Sequence, residues 1–164
     1  MNTGKRIATT VTLYDAYFPA LLALSGDIER AGKNQAAFNN LWNKNGLEPM
    51  EYDYRNDEIL NASYDLNPEI MESAYYLYYF TKDQKYRDME RQYFDDLMKY
   101  CRTEVAFTCI EDVRTKTKKD RMETFFLAET LKYLYLTFAM PRVINPDSCV
   151  FSTEAHPFRK SIVY

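Results

Sequence analysis

Glu69 and Glu72 stand three residues apart in Leu66-Asn67-Pro68-Glu69-Ile70-Met71-Glu72-Ser73, a stretch that reads as the start of a helix. At that spacing both carboxylates project from one helix face. The positive end of the helix dipole favours their ionised form, which is what a general base needs. The same pair would also serve as a solvated acidic first turn. Phe125 and Glu129 are four residues apart in the apolar run Phe125-Phe126-Leu127-Ala128-Glu129-Thr130-Leu131, and Glu123 lies in the same first turn. A glutamate in such a run is costly against a dry core, so Glu129 must face a polar cavity, a partner or solvent. A ring beside a carboxylate can hold a sugar, the ring packing on C–H groups and the carboxylate accepting from hydroxyls. The tail Phe151-Ser152-Thr153-Glu154-Ala155-His156-Pro157 offers oxygen-bearing side chains after a short strand. That chemistry suits a hard cation such as calcium, or an ordinary C-terminal tail.

These residues need elements to position them. From Arg6 to Leu24 the residues Val11, Tyr14, Phe18, Leu21 and Leu22 recur at helical spacing, with a kink expected at Pro19. A second helix is predicted over Ile28 to Lys44, with Ala31, Ala37, Phe38, Leu41 and Trp42 inward, Asp27 as cap and Gly46 as stop. Leu47 to Asp65 is a polar connection without a steady period, of a length that is more often functional than idle. Asn67 then reads as a cap with Pro68 in the first helical position, opening a helix to Phe80. A fourth helix is predicted from Gln84 to Cys101, a short strand or hairpin from Glu104 to Val113, and a charged loop from Lys116 to Asp120. A fifth helix follows from Arg121 to Ala139, then a strand at Cys149-Val150-Phe151. Met71-Glu72-Ser73 is echoed by Met122-Glu123-Thr124, a period that suits one helix pair and its loops.

Composition narrows the classes. With 164 residues the chain fits one domain. It carries 21 Lys and Arg against 24 Asp and Glu, a net charge of −3, which lacks the basic stripe of a nucleic-acid binder. No stretch approaches the roughly 18 apolar residues of a membrane span, and the opening residues show no signal-peptide core. Aromatic residues reach 16%, while four Gly and six Pro lean helical. Cys101, Cys109 and Cys149 are an odd set without a Cys-x-x-Cys, and His156 is the sole histidine, so a structural zinc site does not fit. Asn61-Ala62-Ser63 matches the N-glycosylation acceptor pattern.

The stretch from Leu66 to Ser73, then Asp120-Arg121-Met122-Glu123-Thr124-Phe125-Phe126-Leu127-Ala128-Glu129-Thr130-Leu131-Lys132-Tyr133, then Phe151 to Pro157 resemble, in content and order, the C-terminal motifs of class I α-1,2-mannosidases, glycoside hydrolase family 47. Ala16-Tyr17-Phe18-Pro19-Ala20-Leu21-Leu22-Ala23-Leu24 and Gly26-Asp27 fit the preceding helix of that family. Leu47-Glu48-Pro49-Met50-Glu51-Tyr52 looks closest to the branch that enhances ER-associated degradation of misfolded glycoproteins. The resemblance covers roughly residues 8–158.

It implies a mainly α fold, the C-terminal part of an (α/α)7 barrel closed by a short C-terminal β-hairpin plug. Residues 1–164 would then be a partial catalytic domain whose N-terminal helix pairs are absent, inactive alone. By resemblance Glu69 is the general base of an inverting mannosidase. Glu72, Glu123, Phe125, Glu129 and Glu154 line the mannose subsite, and Thr153 binds Ca²⁺. Asn67 stands where the family has an arginine, and an amide cannot reproduce a guanidinium's bidentate contacts. The implied substrate is the high-mannose N-glycan of misfolded glycoproteins in the endoplasmic reticulum lumen. The implied partners are the remaining helix pairs and a thiol-oxidoreductase, with Asn61 a glycosylation acceptor. The alternative is a catalytically silent mannose-binding protein of the same fold.

Overall fold

In a computed structural model the chain is described over residues 8–139, 144, 147–152 and 154–160. Strand β1 (Thr10–Thr12) leads into a 3-10 helix (Leu13–Tyr17), then α1 (Phe18–Leu24) and α2 (Ile28–Asn45). Strands β2 (Glu51–Asp53) and β3 (Glu58–Asn61) precede α3 (Glu69–Thr81) and α4 (Gln84–Tyr100). The hairpin β4 (Ile110–Asp112) with β5 (Thr117–Lys118) follows. A π turn (Phe126–Thr130) opens α5 (Leu131–Phe138), and β6 (Cys149–Phe151) pairs with β7 (Pro157–Arg159).

Helix α3 is the hub: α1, α2, α4 and α5 all pack on it. Local chemistry sets the boundaries of α2. The Asp27 carboxylate accepts from the Arg30 N–H at 3.2 Å, and Gly46, at φ +68°, turns its N–H back to the Trp42 carbonyl at 2.7 Å. Much of the aromatic surplus is core. The Trp42 ring lies edge-on to Tyr64 at 5.6 Å and tilted on Tyr93 at 4.7 Å, while its N–H donates to Asp96 at 2.9 Å. Such pairs add about 0.5–1.5 kcal/mol each beyond burial.

The first segment differs from its sequence reading. Thr10–Thr12 is strand, the 3-10 helix tightens the next turn, and Pro19 sits in the first turn of α1 rather than kinking a longer helix. The change of pitch rephases the faces. Leu13, Ala16, Ala20, Leu22 and Ala23 are buried, whereas Tyr14, Phe18 and Leu21 are exposed. Where the backbone ladder breaks, the buried Ser73 hydroxyl of α3 donates to the Ala16 carbonyl at 2.5 Å and accepts from the Ala20 N–H at 3.0 Å. Ala37 is also exposed, and Gln35 takes the inward position instead. The 47–65 connection contains structure: β1, β2 and β3 form an antiparallel sheet in that order. The charged loop after Val113 contains β5, and the second copy of the apparent repeat, Met122-Glu123-Thr124, precedes its helix rather than lying inside one as Met71-Glu72-Ser73 does.

Candidate functional site

The start of α3 is held from several sides. Tyr64 exchanges backbone hydrogen bonds with Ile110 at 2.8 and 2.9 Å, and its hydroxyl donates to the Asn67 carbonyl at 3.1 Å. The Thr130 hydroxyl of the π turn donates to the Leu66 carbonyl at 2.6 Å. Leu66 itself is fully buried at φ +65°, a conformation that costs a branched, bulky residue roughly 1–3 kcal/mol and survives only where neighbours over-determine it. Asn67 does not cap α3 with its side chain; Pro68 is the capping residue, and its carbonyl accepts from Glu72 at 2.9 Å. The Asn67 amide lies instead beside Glu69, and Asn67 is 5% exposed.

Glu69 is thereby the first helical residue, half-buried, with its Oε2 enclosed and without a hydrogen-bond partner. Burial pushes its carboxyl up to about 7; its own backbone N–H and the Asn67 amide pull the other way, and Glu129 and Glu72 push it further up. Glu129 is also raised, first by burial, then by Glu154 and Glu72, with Lys132 opposing. Lys132 is lowered by burial while Glu129, Glu72 and Glu154 hold its charge. Glu72 accepts from the buried Tyr133 hydroxyl at 2.6 Å. Glu72, Glu129 and Glu154, drawn from α3, the π turn and the β6–β7 connection, therefore share one electrostatic neighbourhood with Lys132, and Glu69 is coupled to it through Glu129 and Glu72.

The other sequence-derived candidates fall as follows. Phe125 is half-buried at the entrance to the π turn. Glu123 pairs with Arg121, and no described interaction joins it to Glu69. Thr153 lies outside the described residues. Asn61 is exposed at the end of β3, where its side-chain oxygen accepts from the Ser63 N–H at 3.1 Å and hydroxyl at 3.0 Å. Cys101 and Cys109 are buried free thiols and Cys149 is a half-buried one.

Among the described residues no three or more His, Cys, Asp or Glu side chains group as a metal-ligand cluster. The chemistry of the carboxylates fits a hard divalent cation, because their donor atoms are all oxygen and, among the described residues, Lys132 is the cation acting on Glu129. Beside Lys132 opens a hollow of about 330 Å³, lined by Leu131, Leu136, Phe151 and Ala155.

Sequence reasoning missed Tyr133, Lys132 and the π turn. The tyrosine and lysine sat in plain view one helical turn beyond Glu129, but only the pairing with Glu72 across α3 and α5 gives them a role. A π turn inserts one residue into the helical ladder, a feature that recurs at functional sites, and no residue type signals it.

A family model described as glycosyl hydrolase family 47 matches residues 3–160. Alpha-mannosidase I MNS5 of Arabidopsis thaliana is 35% identical over 162 residues, covering 97% of this chain and 28% of that protein. ER degradation-enhancing alpha-mannosidase-like protein 1 of Schizosaccharomyces pombe is 36% identical over 157 residues, covering 94% of this chain and 20% of that protein. Alpha-1,2-mannosidase from Trichoderma reesei superposes with a TM-score of 0.80 at 24% identity, over 96% of this chain and 40% of that one. The mainly helical fold with its small hairpins is thus part of an α/α barrel, and the chain spans less than a third of either sequence relative.

Proposed function

The chain belongs to glycosyl hydrolase family 47, and from that premise we propose that it is the base-bearing part of an inverting α-1,2-mannosidase. It would trim high-mannose N-glycans of misfolded glycoproteins in the endoplasmic reticulum lumen. The observation that carries the reading is Glu69: a carboxyl enclosed at the first turn of α3, raised to about 7, with one oxygen unpartnered. A general base works best with its pKa near the operating pH. In the proposed step, a water attacks the anomeric carbon as the glycosidic C–O bond breaks. Glu69 takes the water's proton, and a carboxylic acid elsewhere in the barrel protonates the leaving oxygen.

The acid would stand about 6.5–9.5 Å from Glu69, leaving room for the water. It would come from further helix pairs. In support, the chain covers 40% of the T. reesei chain on which it superposes, and Tyr14, Tyr17, Phe18 and Leu21 present an exposed apolar face. Glu72, Glu129 and Glu154 would accept from mannose hydroxyls, Phe125 would pack on the ring, and Asn67 and Glu123 would border the subsite. Thr153 would hold Ca²⁺ through its hydroxyl and carbonyl. Such an ion, when bound, organises vicinal sugar hydroxyls. The location is supported by the printed names of the ER degradation-enhancing relatives. Asn61 would be a glycan acceptor, and Cys149, half-buried where Cys101 and Cys109 are buried, would be the thiol that a thiol-oxidoreductase partner reaches.

The test is Glu69→Gln in the chain that includes the further helix pairs. Mannose release should fall by about 10²–10⁴-fold while glycan binding is kept. Normal release by that variant removes Glu69 as base. Asn67 favours a second reading, a mannose-binding protein without turnover, because it lacks the fork of an arginine. Glycan binding by the unmutated full chain with calcium, without released mannose, would establish it.

A further inference from the structure

Strand β6 leads into the tail whose Glu154 the proposed function places on the sugar, and pairing alone does little to hold it. The strand has three residues and, among the described strands, pairs with β7 alone. A lone two-stranded hairpin is marginal in water, so its placement must come from the helices beside it. Two contacts supply it, one near each end of β6. Before the strand, the Tyr79 hydroxyl of α3 donates to the Asp147 carboxylate. At its last residue, the Lys132 ammonium of α5 lies 5.6 Å from the centre of the Phe151 ring, and 4.3 Å from that of Tyr133. A cation within about 6 Å of a ring is attracted to the negative face of its π-system. Lys132, Leu131 and Leu136 also line the hollow that Phe151 and Ala155 close from the other side, so the lysine stem and the ring share one wall.

The grip on Phe151 passes to Glu154 through a tight turn. The Ser152 N–H donates to the His156 carbonyl and the Ala155 N–H to the Ser152 carbonyl, both at 3.0 Å. The His156 N–H donates to the Ser152 hydroxyl at 3.2 Å. Glu154 lies inside this turn, so it follows wherever β6 is fixed. The Tyr133 hydroxyl, donating to Glu72 at 2.6 Å, ties α5 to α3. Tyr133 with Glu72, Lys132 with Phe151, and Tyr79 with Asp147 thus close a ring of contacts through α3, α5 and β6.

We infer that Lys132 is a positioning residue for the tail: its ammonium, seated against the Phe151 ring, fixes β6 on α5 and thereby holds Glu154 at the sugar. This rests on the reading of Glu154 as a sugar contact. A lysine present only to balance the carboxylates would not need Phe151, and that is the difference the experiment reads.

The experiment compares Lys132→Met, Lys132→Arg, Phe151→Leu and the Lys132→Met/Phe151→Leu double variant in the chain that includes the further helix pairs. Amide hydrogen exchange over residues 149–159 is measured without sugar, together with the Kd for a high-mannose glycan and KM and kcat for mannose release. Methionine keeps the stem and removes the charge, so exchange across β6 and β7 should quicken roughly tenfold. Kd and KM should rise about tenfold with kcat within about twofold, because Glu154 holds hydroxyls and moves no proton. Arginine keeps a cation that can sit on the ring and should bring exchange and Kd back to within about threefold of wild type. Phe151→Leu should match Lys132→Met, and the double variant should be no worse than either, as for two sides of one contact. Unchanged exchange in Lys132→Met, wild-type exchange or Kd in Phe151→Leu, arginine no better than methionine, single effects that multiply in the double variant, or a loss in kcat larger than the rise in KM would each overturn the inference. Exchange and Kd need no turnover, so a wild-type chain that binds the glycan and releases no mannose overturns the mannosidase reading alone.

Discussion

Removing the charge of Glu69 should stabilise the protein, but only at high pH. Its carboxyl rises from 4.5 to about 7 on folding. That interval corresponds to about 3 kcal/mol at ~1.36 kcal/mol per unit, and partial exposure discounts it to about 2 kcal/mol. The sign follows from proton binding. Between these values the folded chain holds the proton more tightly than the unfolded chain, so the favourable contribution is complete below about 4.5 and is lost as pH rises through about 7. Wild-type stability should therefore carry a Glu69-dependent decline of about 2 kcal/mol between pH 4 and pH 8. In the chain that includes the further helix pairs, Glu69→Gln replaces an ionisable group by a neutral one of the same shape and should erase that decline. Urea unfolding of both proteins at pH 4, 6 and 8 reads it directly. A stability difference that is the same at pH 4 and pH 8, or one that favours wild type at pH 8, would refute the claim that burial holds this base near neutrality.

Tyr133→Phe removes the donor to Glu72; hydrogen bonds to charged groups contribute about 1.5–3 kcal/mol, so urea unfolding at pH 7 of the chain that includes the further helix pairs should show a loss in that range. Thr153→Ala should weaken calcium binding in the chain with its further helix pairs. The wild-type melt should fall on chelation and the variant's should move less, since a ligand that binds only the folded state stabilises it. Residues 1–164 expressed alone should bind ANS and lack a cooperative melt, because Tyr14, Tyr17, Phe18 and Leu21 are exposed; a monodisperse, cooperatively melting segment would contradict the proposal that further helix pairs cover them.

What was legible in the sequence follows the range of the forces involved. Helix α2 was readable to within a residue because Asp27 and Gly46 are local signals, acting within one turn of the chain that carries them. The β6 strand and the order of the motif-bearing elements were legible too. The sheet was not: β1, β2 and β3 have three or four residues each, too short for alternation to show, and the pairing of β1 with β2 joins residues about forty apart. The inward face of the first segment was misread because a 3-10 turn rephases the side chains and α-helical spacing cannot register it. Glu69, Glu72 and Glu129 were identifiable as an acidic set from the motifs. Their environment was not, since it depends on Leu66 in a left-handed conformation, on Thr130 reaching the Leu66 carbonyl and on Tyr133 reaching Glu72. Glu48 passed as one acid among several in a polar connection; only burial distinguishes it.

Under the proposed function, the balance of donors and acceptors would select the kind of molecule the site takes. Glu72, Glu129 and Glu154 act on Lys132, whose own charge is weakened by burial, and Glu69 joins the set through Glu129 and Glu72. An anionic ligand such as a phosphate ester would meet repulsion from these carboxylates, opposed among the described residues by Lys132. A neutral ligand rich in hydroxyls offers what the cluster lacks, donors that carboxylates accept as charge-assisted hydrogen bonds, and it does so without bringing charge into a partly buried place. A half-buried ring at Phe125 suits the C–H face of such a ligand. Competition by neutral sugars but not by their 6-phosphates, at equal ionic strength, is the corresponding observable. Tighter binding of the phosphorylated sugar would show that Lys132, rather than the carboxylates, sets the field of the site.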